Sequence, residues 1–244
     1  MNKRKLLALA LSLCMVAILA VGGTLAYFTS EDSVDNVFTM GNVKIEIEEV
    51  VDEDTELAPG KKINKDVFVN NIGSKPAYVR VHIAIPAEMD DGDPSFAAVN
   101  NFLHWNFTKE SYADGQWSWN KTLNGSNYPG NGGEWNYYET SIDNKAYAVY
   151  VATYESELLA GEKTKTESLT QVYLDASVDA KTDENGNTVL KDTHGNEVTL
   201  TPADMENIRI KVWAEGTQVD TFTDAYNALN TAFGVPGSYN PWAE

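Results

Sequence analysis

Hydrophobic and polar residues alternate with a period of two over much of the chain, which predicts a protein made mainly of β-strands. Residues 43–47 alternate valine and isoleucine with lysine and glutamate, as on a strand with one face in the core. Residues 79–85 are apolar at every odd position and carry Arg80 and His82 among the even ones. We expect that strand in the middle of a sheet, closed by Pro86, because proline cannot donate to the ladder.

The rest of the chain adds more strands and one helix. Further strands are predicted at residues 67–69, 147–154, 169–178 and 208–213. The sequence Asp183–Asn187 predicts a hairpin tip, because its Asn-Gly pair supplies the positive φ angles of a tight turn. Residues 221–233 have helical spacing, with Thr221 and Asp224 as a capping box and Gly234 as the stop. One helix beside many strands predicts a β-sandwich with a helical cover.

A segment rich in tryptophan, tyrosine, asparagine and glycine, residues 89–140, interrupts this pattern. We expect short hairpins and long loops there, inserted between core strands. The segment contains Trp105, Trp117, Trp119 and Trp135. Exposed on loops, these rings would stack on sugars or anchor a protein interface, as in a surface-binding module. The alternative is a second small core, and the shared strand face of Trp117 and Trp119 favours burial for most of them.

The N-terminus has the three parts of a bacterial-type export signal. Residues 3–5 are basic, residues 6–21 are apolar except Ser12, and small residues follow up to Ala26. The apolar run of about 16 residues is shorter than the roughly 20 that span a bilayer, which favours cleavage over a retained anchor. We therefore predict a signal peptide at residues 1–26, cleavage between Ala26 and Tyr27, and one secreted domain at residues 27–244.

The composition of this secreted domain limits the classes of molecule that it can bind. The formal net charge is −18, and removing the basic residues of the signal makes the mature chain more acidic still. Nucleic acids and anionic lipid headgroups need cationic partners, so we expect no nucleic-acid binding and only transient membrane contact, through the signal. The one cysteine, Cys14, lies inside the signal, so the mature chain forms no disulfide.

Several stretches of the chain together resemble the TasA/camelysin family. They are residues 22–29 (Gly-Gly-Thr-Leu-Ala-Tyr-Phe-Thr), 36–45 (Asn-Val-Phe-Thr-Met-Gly-Asn-Val-Lys-Ile), 58–60, 71–81, 159–164 and 214–220. The resemblance implies a jelly-roll-like antiparallel β-sandwich, processing by a dedicated signal peptidase, and subunits of biofilm matrix fibres. It also implies that the freed N-terminal segment of one subunit pairs into the sheet of the next. The tryptophan-rich segment has no counterpart in this resemblance.

The residues themselves support an N-terminal assembly segment at 27–42. Val34, Asn36, Phe38 and Met40 share one face of an extended strand, and Gly41 offers a hinge before the next strand. An extended segment added to an exposed sheet edge satisfies backbone hydrogen bonds on both chains. The alternative is that Val34–Met40 pairs within its own domain as an ordinary first strand.

The search for catalytic residues is negative. Some camelysin relatives are described as metal-dependent proteases, but the three histidines, His82, His104 and His194, are isolated. None belongs to the His-Glu-x-x-His pattern that places two zinc ligands one helical turn apart. We predict that the protein is not an enzyme and that no residue is catalytic, with a camelysin-like metalloprotease as the less favoured alternative.

One acidic loop is a weak candidate for calcium. Asp90, Asp91 and Asp93 lie close together, and oxygen-rich loops hold Ca²⁺ outside cells. The spacing matches no EF-hand, so solvated carboxylates are the favoured interpretation. No other cofactor is expected. Taken together, the sequence predicts a secreted, acidic matrix protein whose partners are itself and related matrix proteins.

Overall fold

The computed structural model describes residues 29–33, 43–51, 58–90, 101–105, 117–121, 134–219 and 222–243. Strands make up 49% and helices 8% of the described residues, so the predicted mainly β class is confirmed. All paired strands of the described residues are antiparallel. They are β1 Thr29–Ser33, β2 Ile45–Val51, β3 Ile63–Asn71, β4 Ala77–Pro86, β5 Leu103–Trp105, β6 Trp117–Ser118, β7 Tyr137–Ile142, β8 Lys145–Tyr154, β9 Leu169–Leu174, β10 Asp179–Thr182, β11 Thr188–Lys191, β12 Glu197–Leu200 and β13 Lys211–Gln218.

Two of the sheets form a sandwich around a common core. One sheet has the order β1-β13-β4-β8-β6, with β7 also paired to β8, and the other has the order β2-β3-β9-β5. Val67 and Val69 of the second sheet belong to the same buried cluster as Val81 and Ile83 of the first. Burial of this apolar surface is the main force that holds the sheets face to face.

Strand β4 is the central strand that the sequence predicts. All ten of its residues are buried, and it lies between β13 and β8. Its odd-numbered residues from Val79 to Ile85 face the common core. Its other face carries Arg80 and His82, and helix α2 and the C-terminal residues cover that side.

The third sheet, β10-β11-β12, is a meander with two turns of the same geometry. Asp183 accepts backbone hydrogen bonds from Asn185 and Asn187, which confirms the predicted hairpin tip. Nine residues later Asp192 accepts the equivalent bonds from His194 and Asn196, a second turn that the sequence reading missed. Leu190 and Leu200 attach this sheet to the common core.

The described residues form two helices, α1 Pro202–Asn207 and α2 Ala225–Phe233. The predicted helix start at Thr221 is wrong: Asp224 is the N-cap of α2 and accepts a bond of 2.8 Å from the Asn227 amide. The capping box belongs instead to α1, between Thr201 and Asp204. No helix among the described residues has the length and apolarity needed to cross a membrane.

Two predicted strands have different bounds. The strand expected at 208–213 runs from Lys211 to Gln218, because Ala214–Gln218 continue the pairing with β4. The strand expected at 169–178 stops at Leu174, where Asp175 begins a turn by accepting the Ser177 amide.

Candidate functional site at the edge of the six-stranded sheet

The two neighbours of β13 differ sharply in length and composition. On one side β13 pairs with β4 over eight register positions, from Lys211–Ala84 to Gln218–Ala77. On the other side it pairs with β1, which has five residues, all polar: Thr-Ser-Glu-Asp-Ser. Strand β13 is buried from Val212 to Gln218. A buried strand therefore has a short polar strand as its only ladder partner on that edge among the described residues.

Polar residues of β1 are register partners of the part of β13 that faces the core. Ser30 pairs with Gly216 and Asp32 pairs with Ala214. Ala214 belongs to the common core, and a Cβ on Gly216 would lie 2.9 Å from Ile45, so this side of β13 packs against the second sheet. A serine and an aspartate therefore stand at the ladder positions opposite these two residues of β13.

The predicted assembly residues themselves fall outside the described residues. This holds for the cleavage site at Ala26 and Tyr27 and for the segment with Val34, Asn36, Phe38, Met40 and Gly41. The part of the N-terminal segment that is described is β1, and it pairs within its own chain. These residue assignments therefore stay predictions.

The outer face of β13 and β4 contains a buried ion pair. Arg80 of β4 and Glu215 of β13 are register partners, with side chains 1% and 0% exposed, and the Arg80 Nε donates to the Glu215 carboxylate. The Tyr239 hydroxyl donates to the other carboxylate oxygen at 2.5 Å. Removing one member of a buried pair costs far more than the pair itself contributes, because the remaining charge is left without a partner.

His82 completes this cluster. Its Nε2 lies 3.3 Å from the Glu215 carboxylate, and its Nδ1 lies 3.0 Å from the Tyr138 hydroxyl. Burial lowers the pKa of His82, and the neighbouring carboxylate of Glu215 opposes this shift only in part. Burial alone would raise the pKa of Glu215, but the contact with the His82 ring, the Arg80 guanidinium and the Tyr239 hydroxyl together lower it to about 2. The cluster thus holds an ionised glutamate and a permanently charged arginine inside the fold.

The three histidines lie on separate elements. His82 is on β4, His104 is on β5 beside Asp175 at 3.0 Å, and His194 is in the turn between β11 and β12. Among the described residues, no group of three or more histidine, cysteine, aspartate or glutamate side chains is placed to hold a metal ion. The Asp175 carboxylate accepts a 2.6 Å hydrogen bond from the Ser177 hydroxyl and lies 3.0 Å from the His104 Nε2.

Most of the candidate tryptophans are core residues rather than an exposed platform. Trp105, Trp117 and Trp119 are 0%, 4% and 3% exposed. Trp105 lies 4.9 Å from Trp119 between ring centroids, and the Trp117 indole donates to the Thr166 carbonyl. Trp135 is half-buried at the side of the same cluster, 6.4 Å from Trp119. These three side chains are therefore buried, as the sequence favoured, but in the common core and not in a second small core.

The acidic loop is described only at its start. Asp90 is 3% exposed and accepts a 2.6 Å hydrogen bond from the Tyr150 hydroxyl, so its carboxylate is buried rather than solvated. Asp91 and Asp93 lie outside the described residues. The calcium assignment for all three therefore stays a prediction.

The sequence reading overlooked Glu215 and Tyr239 as members of a site. The available signal was an acidic residue in the apolar strand 211–218 and an arginine in the central strand 77–86, each expensive to bury alone. The two are 135 residues apart in sequence, so no local pattern connects them.

Stretches that carry the family resemblance come together around β13, β4 and β3. The stretch 214–220 includes most of β13, which pairs with β4 in the stretch 71–81. The stretch 159–164 joins the end of β3, where the Gly161 amide donates to the Asn71 carbonyl and the Asn71 amide donates to the Glu162 carbonyl, both at 2.8 Å. Residues far apart in sequence thus form one region of the fold.

Residues 2–95 match the family model described as camelysin metallo-endopeptidase. No curated protein and no solved structure matches the chain.

The stretches 159–164 and 214–220 lie beyond the matched range. They contact the matched part through β3 and β4, as described above. Over residues 2–95 the match confirms that this chain resembles the TasA/camelysin family, as the N-terminal stretches predicted.

Proposed function

We propose that the protein is a structural subunit of an extracellular or biofilm matrix and that its subunits join by exchange of N-terminal strands. The observation that supports this most directly is the edge of β13. Among the described residues, a strand that is buried from Val212 to Gln218 has on one side a ladder partner of five polar residues. Such a partner contributes backbone hydrogen bonds but little apolar burial, so another strand can replace it at low cost.

The segment after β1 has the composition that this edge favours. Val34, Phe38 and Met40 are apolar and would lie on the same face of an extended strand, because their positions differ by even numbers. Placed by a second copy along the core side of β13, these residues would take the positions that Ser30 and Asp32 hold in the closed chain. Each such side chain contributes about 1.5–3 kcal/mol when fully buried. The exchange therefore replaces polar residues by apolar ones at the same backbone ladder.

The geometry of such an exchange leads to a fibre. A copy that gives its N-terminal segment to one neighbour keeps its own β13 edge open for the segment of another. This head-to-tail contact does not close on itself, and repeated contacts of that kind build filaments. Cleavage between Ala26 and Tyr27 by a signal peptidase would free the segment, which links export to assembly.

We infer that this role is structural rather than catalytic and needs no cofactor. The partners are other copies of the chain and related matrix proteins. The family description names a metallo-endopeptidase, but His82, His104 and His194 are on three different elements of the fold. Calcium bound at Asp90, Asp91 and Asp93 would affect the stability of the folded protein and not the strand exchange.

The experiment that tests the proposal compares two proteins, one beginning at Tyr27 and one beginning at Gly41. Light scattering and negative-stain microscopy should detect fibres from the longer protein and folded monomers from the shorter one. Adding a synthetic peptide of residues 27–41 to the shorter protein should restore the missing ladder and raise its melting temperature. Fibres from the protein that begins at Gly41 would contradict the proposal. Monomers from both, retained on purified polysaccharide, would favour a carbohydrate-binding module at the tryptophan-rich segment.

A further inference from the structure

The last residues of the chain cross the outer face of the six-stranded sheet as an irregular segment. We define the C-terminal strap as residues 234–243, which follow α2 and form no helix or strand. The Asn240 side chain donates to the Ser141 carbonyl at 3.1 Å, and the Trp242 ring packs with the buried cluster of Ala84, Tyr147 and Val149. The strap thus covers an apolar surface of β4 and β8.

The buried Arg80 side chain forms hydrogen bonds with both α2 and the strap. The Arg80 guanidinium donates to the Asn230 side chain at 2.9 Å, the Gly234 carbonyl at 3.0 Å and the Tyr239 hydroxyl at 2.6 Å. Its remaining described bond is to Glu215 of β13. The strap therefore depends on the charge state of the cluster below it.

His82 lies directly beneath this strap. It is 0% exposed, and its ring centroid lies 6.3 Å from that of Tyr239 and 6.1 Å from that of Trp242, both in edge-on contacts. On the sheet, its register partners are Trp213 of β13 and Val151 of β8. Water can reach the imidazole only if one of these layers moves, and the sheet layer is held by continuous ladders.

The charged and titratable groups that face His82 come from four elements. They are Arg80 of β4, Glu215 of β13, Tyr138 of β7 and Tyr239 of the strap. Glu215 is already paired with Arg80, so a proton on His82 would place a second cation against one carboxylate. The His82 Nε2 is buried, and its nearest charged group is the Glu215 carboxylate at 3.3 Å.

We propose that the C-terminal strap is a proton-sensitive cover, which lifts from the sheet when His82 binds a proton. Lifting the strap hydrates the imidazolium and leaves the strands of the sheet paired. It also exposes the apolar outer surface that Trp242 covers in the closed form. This inference concerns the opposite face from the core side of β13 and does not depend on strand exchange.

Hydrogen–deuterium exchange of the purified protein, read by mass spectrometry, tests the strap directly. In the closed protein His82 is neutral, and opening of the strap allows it to bind one proton. The equilibrium constant for opening should therefore rise about tenfold from pH 7.5 to pH 5.5. After correction for intrinsic exchange rates, protection of residues 234–243 should fall by this factor. Protection of β4 and β13 should not change.

Two variants separate this proton from other causes. His82→Gln keeps a neutral polar group and should remove the pH dependence of strap protection, whereas His194→Gln, in an exposed turn, should retain it. Equal protection of the strap at both pH values, or an unchanged pH dependence in His82→Gln, would overturn the proposal. If His82→Gln does not fold, NMR of the wild-type protein decides: the Trp242 indole signal must titrate together with the His82 ring signals.

Discussion

The two neighbours of β13 make opposite kinds of contact with the same strand. Strand β4 is buried over its whole length, pairs at eight positions and shares a buried ion pair with β13 through Arg80 and Glu215. Strand β1 is short and polar, and its Ser30 and Asp32 are register partners of Gly216 and Ala214. One neighbour therefore fixes β13 in the fold, and we propose that the other can be replaced at this edge.

The largest effect is expected from removing Arg80, which breaks the ion pair between β4 and β13. Arg80→Met leaves Glu215 buried without its cation and removes the link to the strap, so we expect a loss of about 3–5 kcal/mol in the free energy of unfolding. Urea denaturation followed by tryptophan fluorescence measures this loss. The double variant Arg80→Met/Glu215→Leu should recover much of it, because neither charge is then buried alone. A double variant as unstable as the single one would contradict the account.

Low pH should weaken the contact between β4 and β13 over a defined pH range. The pKa of Glu215 is about 2 in the folded protein, below its ordinary value of 4.5, so its stabilisation is complete above pH 4.5 and is lost as pH falls toward 2. At about 1.4 kcal/mol for each pKa unit, this group contributes roughly 3 kcal/mol of that loss. Denaturation at pH 6, 4 and 3 measures it, with Glu215→Gln as the comparison. The pH dependence of that variant should be shallower over this range.

A smaller effect is expected from a substitution in β1, the strand that we propose is replaced. Asp32→Val gives β1 an apolar residue opposite Ala214, so the closed chain should gain about 1 kcal/mol, part of the value for a fully buried valine. We expect a higher melting temperature and slower fibre growth, measured by calorimetry and light scattering. Asp32→Asn, which removes the charge but stays polar, is the matched control. Faster growth for Asp32→Val than for Asp32→Asn would count against the replaceable-edge model.

The sequence predicts one side of this comparison better than the other. The alternation at 79–85 with a proline at 86 specifies a central strand, and the structure buries all ten residues of β4. The edge strand β1 has no apolar alternation, so nothing in its composition predicts the pairing with β13. The Arg80–Glu215 pair was also missed, because each residue alone resembles an exposed position on a half-buried strand.

Local sequence patterns also fail to predict the first residue of α2 and the burial of the tryptophans. Helical spacing extends to Phe222, but the side chain of Asp224 caps the helix two residues later. Trp105, Trp117 and Trp119 lie in a segment of loop-like composition and are nevertheless buried, because β8 supplies Tyr150 and Tyr154 as aromatic neighbours. Such burial depends on strands distant in sequence.

The central claim, that β1 must leave β13 for subunits to join, is tested most directly by a reversible cross-link. Thr29 and Thr217 are register partners, and paired residues of an antiparallel ladder lie within disulfide range. A protein beginning at Tyr27 has no other cysteine, so Thr29→Cys/Thr217→Cys can form one disulfide within the chain. The control, Lys181→Cys/Val189→Cys, joins β10 to β11 away from this edge. The account predicts that the first cross-linked protein stays monomeric until a reductant is added, while the control forms fibres in both states. Fibres from the oxidised Thr29→Cys/Thr217→Cys monomer would contradict it.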